Sequence, residues 1–116
     1  MWSSQYRYLN IYGDAELSIE ANTKQLRDFL NTLPQLKQVT DFKFRNTEVI
    51  PFTEILLLKA RSLYRWNEND TDDDKVNLVA IVCSEGNSEE LNQLRDLFLK
   101  IASFLNWDLV EEGEGD

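Results

Sequence analysis

The sequence contains no histidine, which is the commonest general base near neutral pH and the commonest transition-metal ligand. Its absence excludes Ser-His-Asp and Cys-His catalytic sites, as well as zinc sites with the usual cysteine and histidine spacing. The single cysteine, Cys83, ends an apolar segment without a histidine to activate it, so we expect a buried structural thiol. One cysteine cannot form an intrachain disulfide, so no oxidising compartment is implied.

Glycine and long apolar runs are also scarce. The four glycines are isolated or lie near the C-terminus, and none belongs to a phosphate-binding loop or a dinucleotide fingerprint. No apolar stretch approaches about 18 residues, and the first residues lack the basic and apolar regions of a signal peptide. The sequence therefore predicts a cytoplasmic protein with no membrane association, and it indicates no cofactor.

Length and composition indicate one folded domain. The chain has 116 residues, of which 42% are hydrophobic and 28% charged, and this balance is typical of a globular protein. A chain of this size can bury a single hydrophobic core. We predict an α+β domain over residues 1–110, followed by an acidic, flexible tail over residues 111–116.

Acidic residues give the chain a net charge of −9, and they are concentrated in one loop and in the C-terminal tail. Without these two segments the remaining acidic residues nearly balance the 12 basic ones. Such runs are more often solvated than they are binding sites, although an acidic loop also suits a basic protein such as a nuclease or other toxin. The candidate acidic contact comprises Glu68, Asp70, Asp72, Asp73 and Asp74.

Three aspartates of this loop match the first carboxylate positions of a calcium-binding loop. The match ends there, because Lys75 replaces the required glycine and Ile81 replaces the final glutamate. We therefore predict no dedicated metal site. Spacing alone also fails to select a catalytic carboxylate pair among the 21 acidic residues, so we name no catalytic residue.

The first half of the chain shows short strand patterns around one helix. Residues 6–12 and 16–20 fit a hairpin, because both have a strand pattern and turn-forming residues lie between them. Asn22 or Thr23 then caps a helix with an apolar face that includes Leu26 and Leu30, and Pro34 marks its end. Residues 39–45 are predicted to form the next strand.

The second half contains the clearest elements. Residues 78–83 are continuously apolar, which is typical of a central strand with both faces at least partly covered. Asn87 and Glu90 form a capping signal for a long helix, and residues 107–110 fit a final edge strand. Residues 54–66 fit a helix as well as a strand, but their alternation favours a strand paired with residues 76–83. The predicted order is ββαβββα, with two helices on one face of a mainly antiparallel sheet.

Basic residues recur at strand period in two of these segments. Between Leu58 and Trp66, alternate positions are largely basic. Lys43 and Arg45 show the same alternation in the predicted strand over residues 39–45. These residues form the candidate interface, which consists of Lys43, Arg45, Lys59, Arg61, Leu63 and Arg65. Three interpretations compete: long basic side chains that pair with nearby acids, a platform for single-stranded nucleic acid, and the charged rim of a protein interface.

We favour a non-enzymatic protein-interaction module of regulatory, adaptor or inhibitor type. A central strand that is apolar on both parities exposes apolar side chains on the sheet face opposite the helices, and a protein partner or a second copy would cover them. Nucleic-acid binding is the alternative, but a pI of about 4.4 and the missing RNP1 pattern argue against it. A small anionic-ligand or enzymatic domain, with Arg61 and Arg65 as anchors, is a further alternative that no catalytic group supports.

Overall fold

The computed structural model describes residues 6–112, which form two helices, a six-stranded antiparallel sheet and a two-stranded sheet. This arrangement confirms the predicted α+β class. The elements follow one another in the order β1 (Tyr6–Tyr12), β2 (Ala21–Asn22), α1 (Thr23–Leu30), β3 (Leu36–Thr40), β4 (Lys43–Asn46), β5 (Thr53–Leu58), β6 (Lys75–Val76), β7 (Leu78–Ser84), α2 (Ser88–Leu105) and β8 (Asp108–Glu111). No helix in this part of the chain is long and apolar enough to cross a membrane.

Strand β7 lies inside the large sheet, whose strand order is β3-β4-β5-β7-β1-β8. It pairs antiparallel with β5 on one side and with β1 on the other, so Ile81 lies between Ile55 and Leu9. Because its neighbours satisfy its backbone on both sides, this strand can be apolar at nearly every position. The predicted central strand is confirmed.

Both helices pack on the same face of this sheet and close the main core. Helix α2 begins at the Asn87–Glu90 capping box and buries Leu94, Phe98 and Ile101 against alternate residues of β1, β5 and β7. Helix α1 begins at the N-cap Asn22, whose side chain accepts a hydrogen bond from the Gln25 amide at 2.8 Å. Both predicted helices are confirmed, although α1 ends at Leu30, before the end that Pro34 indicated.

A smaller apolar cluster lies on the opposite face, where two connections fold back over one end of the sheet. It contains Leu17, Leu58, Ala60, Leu78 and Ala80. The connections run over residues 13–20 and 59–74, and the second carries Leu63 and Trp66 to the edge of this cluster. The sheet face opposite the helices is therefore covered at one end and uncovered at the other.

The predicted hairpin of residues 6–12 with residues 16–20 is wrong. Strand β1 pairs with β7 and β8 instead, while residues 13–16 form a turn and residues 17–20 are irregular. The Asp14 carboxylate accepts a hydrogen bond from the backbone N–H of Ser18 at 2.8 Å, and the Asp14 carbonyl accepts one from Leu17. These local bonds take the place of strand pairing, as is usual where aspartate initiates a turn.

The predicted strand over residues 39–45 is also corrected, because the structure has two strands there. Strands β3 and β4 form a hairpin with Asp41 and Phe42 at its turn. The turn carries neither glycine nor proline, so its sequence lacks the usual signal. Thr40 stabilises the turn instead, because its hydroxyl oxygen accepts a hydrogen bond from the Phe42 amide at 3.1 Å.

Residues 54–66 form one strand only as far as Leu58. The predicted antiparallel pairing with residues 76–83 is confirmed from Thr53, opposite Cys83, to Leu58, opposite Leu78. Beyond this point the buried side chain of Asn77 accepts from the Ala60 N–H at 2.8 Å and donates to the Ala60 carbonyl at 3.0 Å. A side chain thus replaces the backbone partner, and the chain leaves the sheet. The predicted strand over residues 59–66 is wrong.

The C-terminal strand continues past the predicted domain boundary. Glu111 belongs to β8 and pairs with Arg7, and the Glu112 amide donates to the Tyr8 carbonyl at 2.7 Å. The flexible tail predicted over residues 111–116 therefore does not include Glu111 and Glu112. Residues 113–116 lie outside the described part of the chain.

Candidate functional site

The uncovered end of the sheet face opposite the helices exposes aromatic and aliphatic side chains. Tyr6 and Tyr8 of β1 are 43% and 51% exposed, and Val82 of β7 lies beside Tyr8 in the paired strand. Phe52 extends this surface, because its ring meets that of Tyr6 edge-on at a centroid distance of 6.0 Å. We call this uncovered end of the sheet face, which includes Tyr6, Tyr8, Phe52 and Val82, the open face.

A groove of about 270 Å³ lies on the open face, and we call it the sheet groove. Its floor comes from the strands, whereas one wall comes from the connection over residues 59–74. The apolar residues that line it include Tyr8, Leu56, Leu63, Trp66, Ala80 and Val82. Because strand side chains alternate between faces, the same alternation that builds the main core also supplies this apolar floor.

Three polar side chains line the groove as well: Asn10, Glu54 and Glu112. Asn10 is buried on β1, and its amide nitrogen donates to the Glu112 carboxylate. Glu54 lies on the other side of the groove, where Lys43 at 3.2 Å and Arg45 at 3.8 Å balance its charge. Glu112 has no basic partner among residues 6–112, so the β8 side of the groove carries the uncompensated negative charge.

Half of the predicted candidate interface pairs with acids of the same chain. Lys43 and Arg45 lie on the open face of β4, and Lys43 also reaches Glu68 at 3.4 Å. Hydrogen bonding to Glu54 is the main reason that the pKa of Lys43 is raised. Lys59 follows β5 and lies 3.8 Å from Glu20 and 4.0 Å from Asp72. These pairs are those expected if basic side chains lie over the sheet beside its acids.

The remaining three candidate residues lie in a tight turn beside the groove. Residues 61–65 form this turn, which an isolated bridge between Ser62 and Arg65 closes, and we call it the arginine turn. Leu63 is half-buried and lines the groove, whereas Arg61 and Arg65 are exposed. Neither arginine forms an ion pair with any residue in the described range. The alternation predicts that these three residues share one face of a strand. This prediction is wrong, because they lie in a turn.

Tyr64 is the exposed residue that sequence reasoning missed. Its side chain is 84% exposed between Arg61 and Arg65, although the strand assignment had placed it on the parity opposite these arginines. Burial raises the pKa of Tyr12 on the open face, and nearby Glu112, Tyr64 and Asp108 raise it further. The sequence feature that could have indicated the exposure of Tyr64 is its position between Arg61 and Arg65.

Two carboxylates of the acidic loop accept backbone hydrogen bonds within the loop. The Asp72 carboxylate accepts hydrogen bonds from the amides of Asp74 and Lys75 at 2.8 and 3.0 Å, which lower the pKa of Asp72. Asp70 accepts from the Asn67 amide at 3.1 Å, and Asp73 is exposed. Within residues 6–112, no three His, Cys, Asp or Glu side chains are grouped so as to hold a metal ion.

Cys83 is buried in the main core at the end of β7, as predicted. Burial raises the pKa of this thiol to about 11. The thiolate is the nucleophilic form of cysteine, so at neutral pH this side chain is an unreactive, protonated core residue.

No protein-family model, curated protein or solved structure matches this chain. What the structure brings together on one side of the molecule is an apolar groove, an exposed tyrosine and two exposed arginines. Tyrosine and arginine are the residue types that most often contribute large binding energies at protein interfaces. The arrangement is suited to recognition of another molecule.

Proposed function

We propose that this chain is a non-enzymatic protein-interaction domain that binds a protein partner through the sheet groove and the arginine turn. The observation that supports it best is Tyr64, which is 84% exposed between two arginines beside an apolar groove of about 270 Å³. A large aromatic side chain held in solvent loses hydrophobic free energy that binding would recover. This placement favours a binding role over a role in folding.

The size of the groove supports a protein partner over a small molecule. Pockets for small ligands usually enclose about 300–1,000 Å³. At about 270 Å³ the sheet groove is smaller, and it accepts one large side chain of a partner. The surrounding exposed residues, Tyr6, Tyr8 and Phe52, then provide a surface from which contact with a partner would exclude water.

A pull-down with the full 116-residue chain tests this proposal. The informative variant is Val82→Lys, which places a charge on the groove floor, where the half-buried valine lies. Leu99→Lys is the matched control, because Leu99 is 43% exposed on α2, on the other side of the sheet. The bait is presented to native cell extract and to an untagged second copy of the chain.

We expect a protein that the wild type and Leu99→Lys retain but Val82→Lys does not, with circular dichroism showing that all three are folded. The charge would interrupt an apolar contact at the centre of the interface, where desolvation of an unpaired ammonium is unfavourable. Identical retention by all three proteins, or retention by none, would contradict the proposal.

A further inference from the structure

We infer that the protein partner is a second copy of this chain, and that each copy inserts Tyr64 into the sheet groove of the other. This inference rests on the proposed function, because it names the occupant of the same groove. Both complementary parts of such an interface, the arginine turn and the groove, are present on one chain. In a pair of identical chains, the arginine turn of each copy would contact the groove of the other.

The arginine turn has the chemistry of an anchor. The Tyr64 ring supplies apolar area with few rotatable bonds, and its hydroxyl can stay hydrogen-bonded when the ring is buried. Arg61 and Arg65 flank it, and neither forms an ion pair within the described residues. The turn thus presents an aromatic side chain between two available cations.

The sheet groove has the opposite character. Its floor and walls are apolar, and its β8 side carries Glu112, whose described partner is the neutral side chain of Asn10. Asp108 points to the same face, because it is paired with Tyr12 across β1 and β8. An apolar centre with acids on one side matches an aromatic anchor flanked by arginines.

The two parts are neighbours on one face, and this allows the contact to be reciprocal. Leu63 lines the groove while Tyr64, the next residue, points to solvent. A two-fold axis that passes between the turn and the groove brings each copy's Tyr64 over the groove of its partner. Every contact is then made twice, as in the isologous interfaces of symmetric dimers.

The net charge of −9 opposes association of two copies at long range. At physiological ionic strength the Debye length is about 8 Å, so charges outside the interface are largely screened while those in contact are not. Asp70 and Asp72 of the acidic loop accept backbone hydrogen bonds within the loop, and the charges that meet at the proposed interface are arginines and acids. Local attraction therefore outweighs the distant repulsion.

The test measures the mass of the full-length chain in solution by sedimentation equilibrium, from about 1 to about 200 µM. We expect a wild-type dimer whose dissociation constant rises about tenfold or more in Tyr64→Ala, because an aromatic anchor is lost from both halves. Tyr64 is exposed, so its removal leaves the folded monomer intact. Lys100→Glu on α2, outside the open face, is the control that should leave the dimer unchanged.

Charge reversal provides a second, independent measurement. Arg65→Glu and Glu112→Arg should each weaken self-association, because each places like charges at both copies of the contact. An equimolar mixture of these two variants should form a heterodimer, since the glutamate of one turn meets the arginine of the other groove, and the unaltered pair remains at the second site. Restored mass in the mixture therefore supports the reciprocal contact in particular.

A wild-type chain that stays monomeric at about 200 µM overturns the inference, and so does a dimer that Tyr64→Ala leaves intact. A mixture of Arg65→Glu and Glu112→Arg that stays monomeric also overturns it. The proposed function has a separate outcome: if Val82→Lys loses a different protein from the pull-down, the groove binds that protein and only the self-association is wrong. If Val82→Lys loses nothing, both are wrong.

Discussion

The side chain of Asn77 satisfies both backbone polar groups of Ala60. Its carbonyl oxygen accepts the Ala60 N–H at 2.8 Å, and its amide nitrogen donates to the Ala60 carbonyl at 3.0 Å and to the Leu17 carbonyl at 3.3 Å. Asn77 is 5% exposed, so these bonds lie in the interior. One side chain therefore joins the two connections that cover one end of the sheet face opposite the helices to the start of the central strand.

We predict that Asn77→Ala destabilises the protein by about 2–4 kcal/mol, because it removes three hydrogen bonds and leaves buried backbone groups without partners. Urea unfolding followed by circular dichroism measures this as a lower midpoint with an unchanged slope. Asn92→Ala, at an exposed position of α2, should change stability by no more than about 0.5 kcal/mol. A similar small change for both variants would contradict the role assigned to Asn77.

A second prediction concerns the main core beneath α2. Phe98 is 1% exposed and belongs to the cluster that joins α2 to β1 and β7. Phe98→Ala should reduce the free energy of unfolding by about 3–5 kcal/mol, because it removes buried apolar area and leaves a cavity. Leu99→Ala, one residue further along the same helix and 43% exposed, should have a much smaller effect. A loss below about 1 kcal/mol at Phe98 would show that this helix face is not core.

The ion pair between Arg7 and Glu111 predicts a pH dependence. The hydrogen bonds that Arg7 donates are the main reason that the pKa of Glu111 lies below its ordinary value of 4.5. A carboxyl whose pKa is lower in the folded protein stabilises it above the unfolded pKa, and this contribution is lost as the pH falls through the folded pKa. Because Glu111 is substantially exposed, the effect at pH 7 is at most about 1 kcal/mol.

Glu111→Gln should therefore be less stable than the wild type at pH 7, and the difference should disappear in acid, where Glu111 is protonated and resembles glutamine. Urea unfolding at pH 7 and at pH values below the pKa of Glu111 measures the difference in the free energy of unfolding between the two proteins. Glu48→Gln, at an exposed loop position outside any described ion pair, is the control and should show little difference at either pH. A gap that persists unchanged in acid would mean that the glutamine substitution acts through packing.

Local signals in the sequence were sufficient for the elements that depend on local chemistry. The cap formed by Asn87 and Glu90 located α2, and the apolar run of β7 identified a central strand, because neither depends on distant residues. The hairpin of β3 and β4 was missed because its turn at Asp41 carries no glycine or proline.

The candidate site was predicted less well, because its geometry depends on contacts between distant residues. The alternation from Leu58 to Trp66 resembles a strand, yet Leu63 and Trp66 are apolar because a turn packs them against the groove. The strand ends where Asn77, 17 residues after Ala60, takes over its backbone bonds. No periodicity in the segment itself reports that bond, so Tyr64 was placed on the wrong side.

The last prediction separates the proposed function from its nucleic-acid alternative. Pairing of Lys43, Arg45 and Lys59 with acids of the chain leaves Arg61 and Arg65 as the candidate residues available to phosphates. Two contacts release few counterions, so their contribution to affinity at about 0.15 M salt is small, and nearby acids repel a polyanion. Fluorescence anisotropy with labelled single-stranded RNA and DNA should therefore show no saturable binding below about 1 µM, and Arg61→Glu should change nothing. Tight binding that Arg61→Glu abolishes would instead mean that the exposed tyrosines of the open face stack on bases, and the nucleic-acid alternative would replace the protein partner.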